Sequence, residues 1–132
     1  MTDQEILFTY RLRQAEETLE DADKMLQQDM SPRSVVNRAY YAAFYAVLGL
    51  FIRTDVRLNT SKHSGVIAAF DKEFVHSGKI EKHFSRMLHA LFDARQEFDY
   101  KELSDPTREE AEERVRLARE FIGRLKLFLA GY

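Results

Sequence analysis

The chain has 132 residues, of which 45% are hydrophobic and 32% charged, with a formal net charge of -2 and no cysteine. Such a length and balance suit one folded domain, residues 1–132, with one core and no disordered tract. The mild acidity excludes a broad phosphate-coating surface, so any nucleic-acid site must be small and local, and the missing thiols exclude disulfides and thiolate metal sites, which fits a reducing cytosol.

The N-terminal stretch "MTDQEILFTY" has no basic region followed by an apolar one, so no signal peptide is expected and the protein is read as cytoplasmic. In the first helical segment Phe8, Leu12, Ala15, Leu19, Ala22 and Leu26 recur at spacings of four and three, which draws one apolar stripe. Ser31 and Pro32 then supply an N-cap and a first-turn proline for a second helix reaching about Arg53. Its stretch "VVNRAYYAAFYAVLGLFI" (Val35–Ile52) is apolar enough to suggest a membrane span. It is slightly short for a bilayer, contains Asn37 and Arg38, and is flanked by amphipathic segments that need a packing partner. The expectation is therefore a central bundle helix and no membrane partner.

Thr60 or Ser61 is positioned to cap a shorter third helix that buries Val66, Ile67, Phe70 and Phe74 and ends at Ser77-Gly78. The fourth helix runs from about Ile80 to Phe98, and Thr107 with Glu110 forms a capping box for the last, whose stripe is Ala111, Val115, Ala118, Ile122, Leu125 and Leu129. Phe51, Val56 and Leu58 either form an exposed apolar patch after the second helix or tuck into the core. With only two prolines and five glycines between these segments, the fold expected is all-α: an up-and-down antiparallel bundle of four main helices plus a short additional one.

One residue breaks the pattern. Phe84, Leu88, Leu91, Arg95 and Phe98 share one face of the fourth helix, so a guanidinium occupies a core position, where it costs several kcal/mol unless an anion meets it. In the plain reading Arg95 pairs with Asp99, one turn on, and its long side chain reaches the end of the bundle. In the sharper one it faces a cleft that takes a phosphate or a carboxylate of a partner. Asn37 and Arg38 are a second anomaly, polar residues in the most apolar helix, with Tyr41 on the face of Asn37. If the second and fourth helices are antiparallel, Asn37 and Tyr41 approach Arg95. Tyr40 and Tyr45 are read instead as core aromatics whose hydroxyls reach solvent or each other.

The segments "SVVNRAYYAAFYAVLGLF", "SKHSGVIAAFDKEF" and "LFDARQEFDY" resemble, in that order, the HEPN superfamily, and within it a group of one-domain prokaryotic proteins described as UPF0332-like. The resemblance implies a four- or five-helix bundle, a homodimer, and a minimal nucleotidyltransferase as partner in a toxin–antitoxin pair, with RNA or a nucleotide as ligand. Many such proteins are metal-independent ribonucleases in which an R-x4-6-H motif holds the scissile phosphate and handles protons. By position Arg95 matches the arginine, whereas Tyr100 stands at the first spacing allowed for histidine and Glu102 at the last.

A tyrosine of ordinary pKa near 10 is only roughly 0.1% ionised at pH 7, and losing a general base costs about 10²- to 10⁴-fold in rate. The motif is thus read as degenerate, with Arg95, Asp99 and Tyr100 as the candidate catalytic residues and Asn37, Arg38, Tyr41, Lys62 and His63 as binding candidates. The alternative is an active ribonuclease in which Arg95 works with Asp99, Tyr100 or a remote histidine. His83 and His89 do not converge on Arg95 along their own helix, no pair of histidines has metal-ligand spacing, and no cofactor motif is present. Lys82, Arg86 and His89 read as a solvated basic strip.

Overall fold

The structure is a computed structural model describing residues 1–132, and it is all-α. In chain order it comprises α1 (Asp3–Gln27), α2 (Pro32–Thr54), α3 (His63–Phe70) continued by a π-helical turn (Asp71–Val75), α4 (Lys82–Tyr100) and α5 (Arg108–Ala130).

The ends form where capping chemistry allows. The Ser31 hydroxyl accepts the Ser34 N–H, and Pro32 occupies the first turn, where its missing donor costs nothing. Thr107 and Glu110 make the expected reciprocal box at 3.1 and 3.2 Å. Thr2 and Glu5 build the same box for α1.

Three boundaries differ from expectation. Neither Thr60 nor Ser61 caps α3: the Thr60 hydroxyl accepts the Lys62 N–H at 3.1 Å, and α3 begins at His63 with no side-chain cap. That local turn is tight, since a Cβ added at Gly65 would lie 2.3 Å from Thr60 Cγ2. Beyond α3 the wide π turn closes with His76 N–H donating to Asp71 C=O at 2.8 Å, and Gly78, at φ +81, then reverses the chain. Ile80 is buried in that reversal, so α4 starts only at Lys82; it also runs on to Tyr100. The extension matters for the site, because it keeps Asp99 one helical turn from Arg95.

Ties between the helix ends establish direction. Gln4, at the start of α1, donates to the Ile52 carbonyl at the end of α2. Asn37, early in α2, bonds Asp99 late in α4, while Glu81, at the start of α4, accepts from Arg124 late in α5. Lys126 and Arg119 of α5 reach Glu16 and Asp23 of α1 in opposite order. Consecutive long helices are therefore antiparallel, as an up-and-down bundle requires.

α2 packs against α1, α4 and α5 and is the core of the bundle. It is long and apolar enough to cross a membrane, but 67% of its most apolar window is buried inside the protein. Around it lie Val66, Ile67, Phe70, Phe74, Leu88, Leu91, Phe98, Val115, Ile122 and Leu125 from the expected stripes, with Ala94 and Phe121 added. Fully burying such side chains stabilises by about 1.5–3 kcal/mol each. Phe51 is buried and Val56 packs on the core, which leaves Leu58 alone exposed and no continuous patch at that corner.

Candidate functional site

At the end of the bundle where α2 begins and α4 finishes, the two sequence anomalies meet. Arg95 Nε donates to Asp99 Oδ2 at 3.2 Å, and its Nη2 donates to the hydroxyls of Tyr41 at 3.0 Å and Tyr100 at 2.9 Å. The guanidinium carbon lies 5.0 Å from the centre of the Tyr100 ring, 5.4 Å from Tyr41 and 5.7 Å from Tyr40. A cation over aromatic faces gains about 0.5–2 kcal/mol when partly desolvated. The Arg95 side chain is only 13% exposed and Asp99 20%. The arginine is therefore tolerated in the apolar stripe because a carboxylate, two hydroxyls and three rings replace its water. It pairs with Asp99 as the plain reading expects, yet it is held inward rather than extended into solvent. Its Nη1 makes no bond within the chain and is not buried, so that one nitrogen remains free to donate.

Asn37 organises the other side. Its Nδ2 donates to Asp99 Oδ2 at 2.8 Å, while its Oδ1 accepts from Arg38 Nε at 3.1 Å and Nη2 at 2.8 Å. Arg38 also lies over the Tyr41 ring at 5.1 Å. Asn37, Arg38, Tyr41, Arg95, Asp99 and Tyr100 thus form one connected group. Tyr100 is its rim, 68% exposed despite its bond to Arg95. Lys62 is exposed at the start of α3; its N–H donates to the Thr60 hydroxyl and its carbonyl accepts the Val66 N–H.

Tyr40 departs from expectation. Tyr40 is fully buried, but its hydroxyl reaches neither solvent nor another tyrosine; it lies 2.8 Å from His63 Nδ1. The half-buried imidazole stacks on Phe44 at 4.2 Å and meets the Tyr41 ring edge-on at 5.7 Å. Burial, and then the charge of Arg95, hold the His63 pKa below its ordinary value, whereas burial pushes the Tyr40 phenol up, partly offset by Arg95. Both groups are therefore neutral at pH 7 and share one hydrogen, given by Tyr40 to Nδ1 or by Nδ1–H to Tyr40 Oη. No spacing signals this approach, because α3 lies on a separate segment.

The other histidines stay apart. His89 Nε2 contacts Asp71 Oδ2 at 2.7 Å, His83 packs on Phe84, and His76 is exposed. No three His, Asp or Glu side chains converge as metal ligands. The group as built can hold an anion against Arg95, offer phenol hydroxyls beside it, and keep a neutral imidazole against the same Tyr40 and Tyr41 rings.

Comparison with known proteins bears on the family and the fold. The model of the family described as "HEPN domain" matches residues 8–127. The chain is 39% identical over 122 residues to a Thermotoga maritima "UPF0332 protein", covering 92% of this chain and 90% of that protein. It is 38% identical over 112 residues to the Methanocaldococcus jannaschii protein named "Putative toxin MJ0605", covering 85% of this chain and 81% of that one. The crystal structure of TT1696 from Thermus thermophilus superposes with a TM-score of 0.74 over 92% of this chain and 97% of the other, at 19% identity, a likeness of fold.

Proposed function

The chain belongs to the HEPN domain family, and on that premise we propose that it is the HEPN component of a toxin–antitoxin-type pair whose Arg95-centred recess binds an anionic group. The group comes from RNA, a nucleotide or a minimal nucleotidyltransferase partner. The observation that carries the reading is the guanidinium of Arg95, 13% exposed, oriented by Asp99, Tyr41 and Tyr100, and left with Nη1 unbonded. The charged Nη1 can still donate to one oxygen of a phosphate or a carboxylate, a charge-assisted hydrogen bond. The toxin names of two Methanocaldococcus jannaschii relatives favour the pair assignment.

In this reading the nuclease motif is degenerate, with Tyr100 where histidine belongs. Purified protein then leaves structured and unstructured RNA intact in the absence of metal. A second reading, a metal-independent ribonuclease, is favoured by one observation: the neutral His63 imidazole shares the rings of Tyr40 and Tyr41 with Arg95. RNA cleavage lost in both Arg95→Ala and His63→Ala would replace the first reading with the second.

Tyr100, exposed and at the rim, is the proposed acceptor for nucleotidylation by the partner. Mass spectrometry after co-expression tests it, and an unmodified Tyr100 removes the idea. The protein is further proposed to act in the cytoplasm as a homodimer with two recesses facing each other. Sedimentation of a monomer alone at micromolar concentration would sink the shared recess.

A further inference from the structure

Arg38 differs from its neighbouring arginines in having no carboxylate. Arg33 pairs with Asp105 and Arg95 with Asp99, whereas Arg38 is satisfied by one neutral acceptor, the Asn37 carbonyl, through Nε and Nη2. It is half-buried, with the Tyr41 ring on one side. Its Nη1 makes no bond within the chain and is not buried. A partly desolvated guanidinium that meets only an amide keeps its full charge without an opposing ion, a situation that an incoming anion relieves.

The space beside it is suited to one. Arg38 lines a cleft of about 370 Å³ with Met25, Arg33, Ser34, Asn37 and Asp99, at the small end of the range of about 300–1,000 Å³ typical of ligand sites. Asp99 contributes a negative charge there, but the oxygen Oδ2 is engaged by Asn37 Nδ2 and Arg95 Nε. Taking Arg33, Arg38 and Arg95 against Asp99 and Asp105, three cations face two carboxylates, and the remaining positive charge belongs to Arg38.

We propose that this cleft is a phosphate-binding subsite separate from the Arg95 recess and adjoining it, with Arg38 as the principal donor, Arg33 as the second cation and the Ser34 hydroxyl as a neutral donor. Asn37 is a positioning residue between the two subsites: its carbonyl orients Arg38 on one side and its amide orients Asp99, and through it Arg95, on the other. The inference rests on the preceding reading for the kind of ligand, since two adjoining anion subsites accept successive phosphates of a polynucleotide strand or the phosphates of a nucleotide.

The test is a titration of the full chain followed by NMR, observing the Asn37 side-chain amide, the Arg38 Nε–H and the Tyr100 backbone amide. The probes are inorganic phosphate, AMP, ATP and a short oligoribonucleotide with a 5′-hydroxyl, at matched ionic strength. The expected result is saturable shifts at Asn37 and Arg38 with phosphate, and binding at least about tenfold weaker in Arg38→Gln, as loss of a charge-assisted contact implies. For the oligoribonucleotide the slope of log affinity against log salt falls by about 0.7 in that variant. Tighter binding of ATP identifies a nucleotide as the source of the phosphate, and tighter binding of the oligoribonucleotide identifies RNA; either supports the subsite. Shifts at Tyr100 without any at Asn37 or Arg38, with Arg38→Gln and Arg33→Gln binding like wild type, would overturn the subsite and leave the Arg95 reading standing. Shifts at Asn37 and Arg38 with none at Tyr100 would support the subsite and sink the Arg95 reading, and no shift anywhere would sink both. The wild-type titration decides the matter even if a variant folds poorly.

Discussion

Replacing Asp99 by Asn tests how the buried cation is held. The substitution is nearly isosteric and leaves Arg95, 13% exposed, without its carboxylate at 3.2 Å. Unit charges about 4 Å apart at an effective dielectric constant near 20 attract by about 4 kcal/mol. Two features reduce the net loss: water reaches the 20% of Asp99 that is exposed, and the Tyr41 and Tyr100 hydroxyls still accept from Nη2. About half of that attraction should therefore appear as destabilisation, about 2 kcal/mol. For a chain of this size it corresponds to a fall in Tm of about 8 °C.

Urea unfolding followed by helical circular dichroism measures it, with Arg95→Met and the double variant completing a cycle. Arg95→Met/Asp99→Asn should be more stable than the two single losses added together, by about 1–2 kcal/mol, because the double variant leaves no unpaired charge. A loss below about 0.5 kcal/mol in Asp99→Asn, or an additive cycle, would refute the reasoning, since the guanidinium would then be compensated by solvent and not by its neighbours.

The histidine beside the site should carry a signature of its own. With its pKa held below the ordinary 6.5 by burial and then by Arg95, the unfolded chain takes up the proton first. The stabilisation from neutral His63 is thus complete above about pH 6.5, declines as pH falls from there towards the folded pKa, and is constant below it. An NMR titration should place the His63 midpoint below 6.5, with Arg95→Met moving it partway back; a midpoint at or above 6.5 would contradict the packing described. In the first turn of α3, Gly65→Ala should cost about 1–2 kcal/mol by overpacking against the Thr60 methyl. Thr60→Ser, which removes that methyl but retains the hydroxyl that accepts the Lys62 N–H, should recover most of the loss, and an unchanged urea midpoint in Gly65→Ala alone would show that the turn relaxes freely.

Most of the fold was legible in the chain because helices announce themselves locally. The stripes of α4 and α5, the Thr107–Glu110 box and the Ser31-Pro32 start all depend on neighbours within four residues, and each appears where expected. The start of α3 differs from expectation for an equally local reason: the Thr60 hydroxyl can serve a helix cap or a turn, and it serves the turn. The candidate site was half legible. Arg95 stood out as a charge at a core position, and its pairing with Asp99 follows from their spacing of four. The bond between Tyr40 and His63 left no trace in any spacing, since 23 residues and a change of helix separate them.

Near-neighbour chemistry along the chain thus settles where helices form, which face of each is apolar and that one guanidinium must lie on such a face, because a period of 3.6 residues couples only residues a turn or so apart. What surrounds that guanidinium is a matter of tertiary packing. Whether Asn37 meets Asp99, whether Tyr41 and Tyr100 share Nη2, and whether His63 rests on Phe44 depend on how α2, α3 and α4 are brought together. That arrangement is a product of packing the whole core at once, which no single segment encodes.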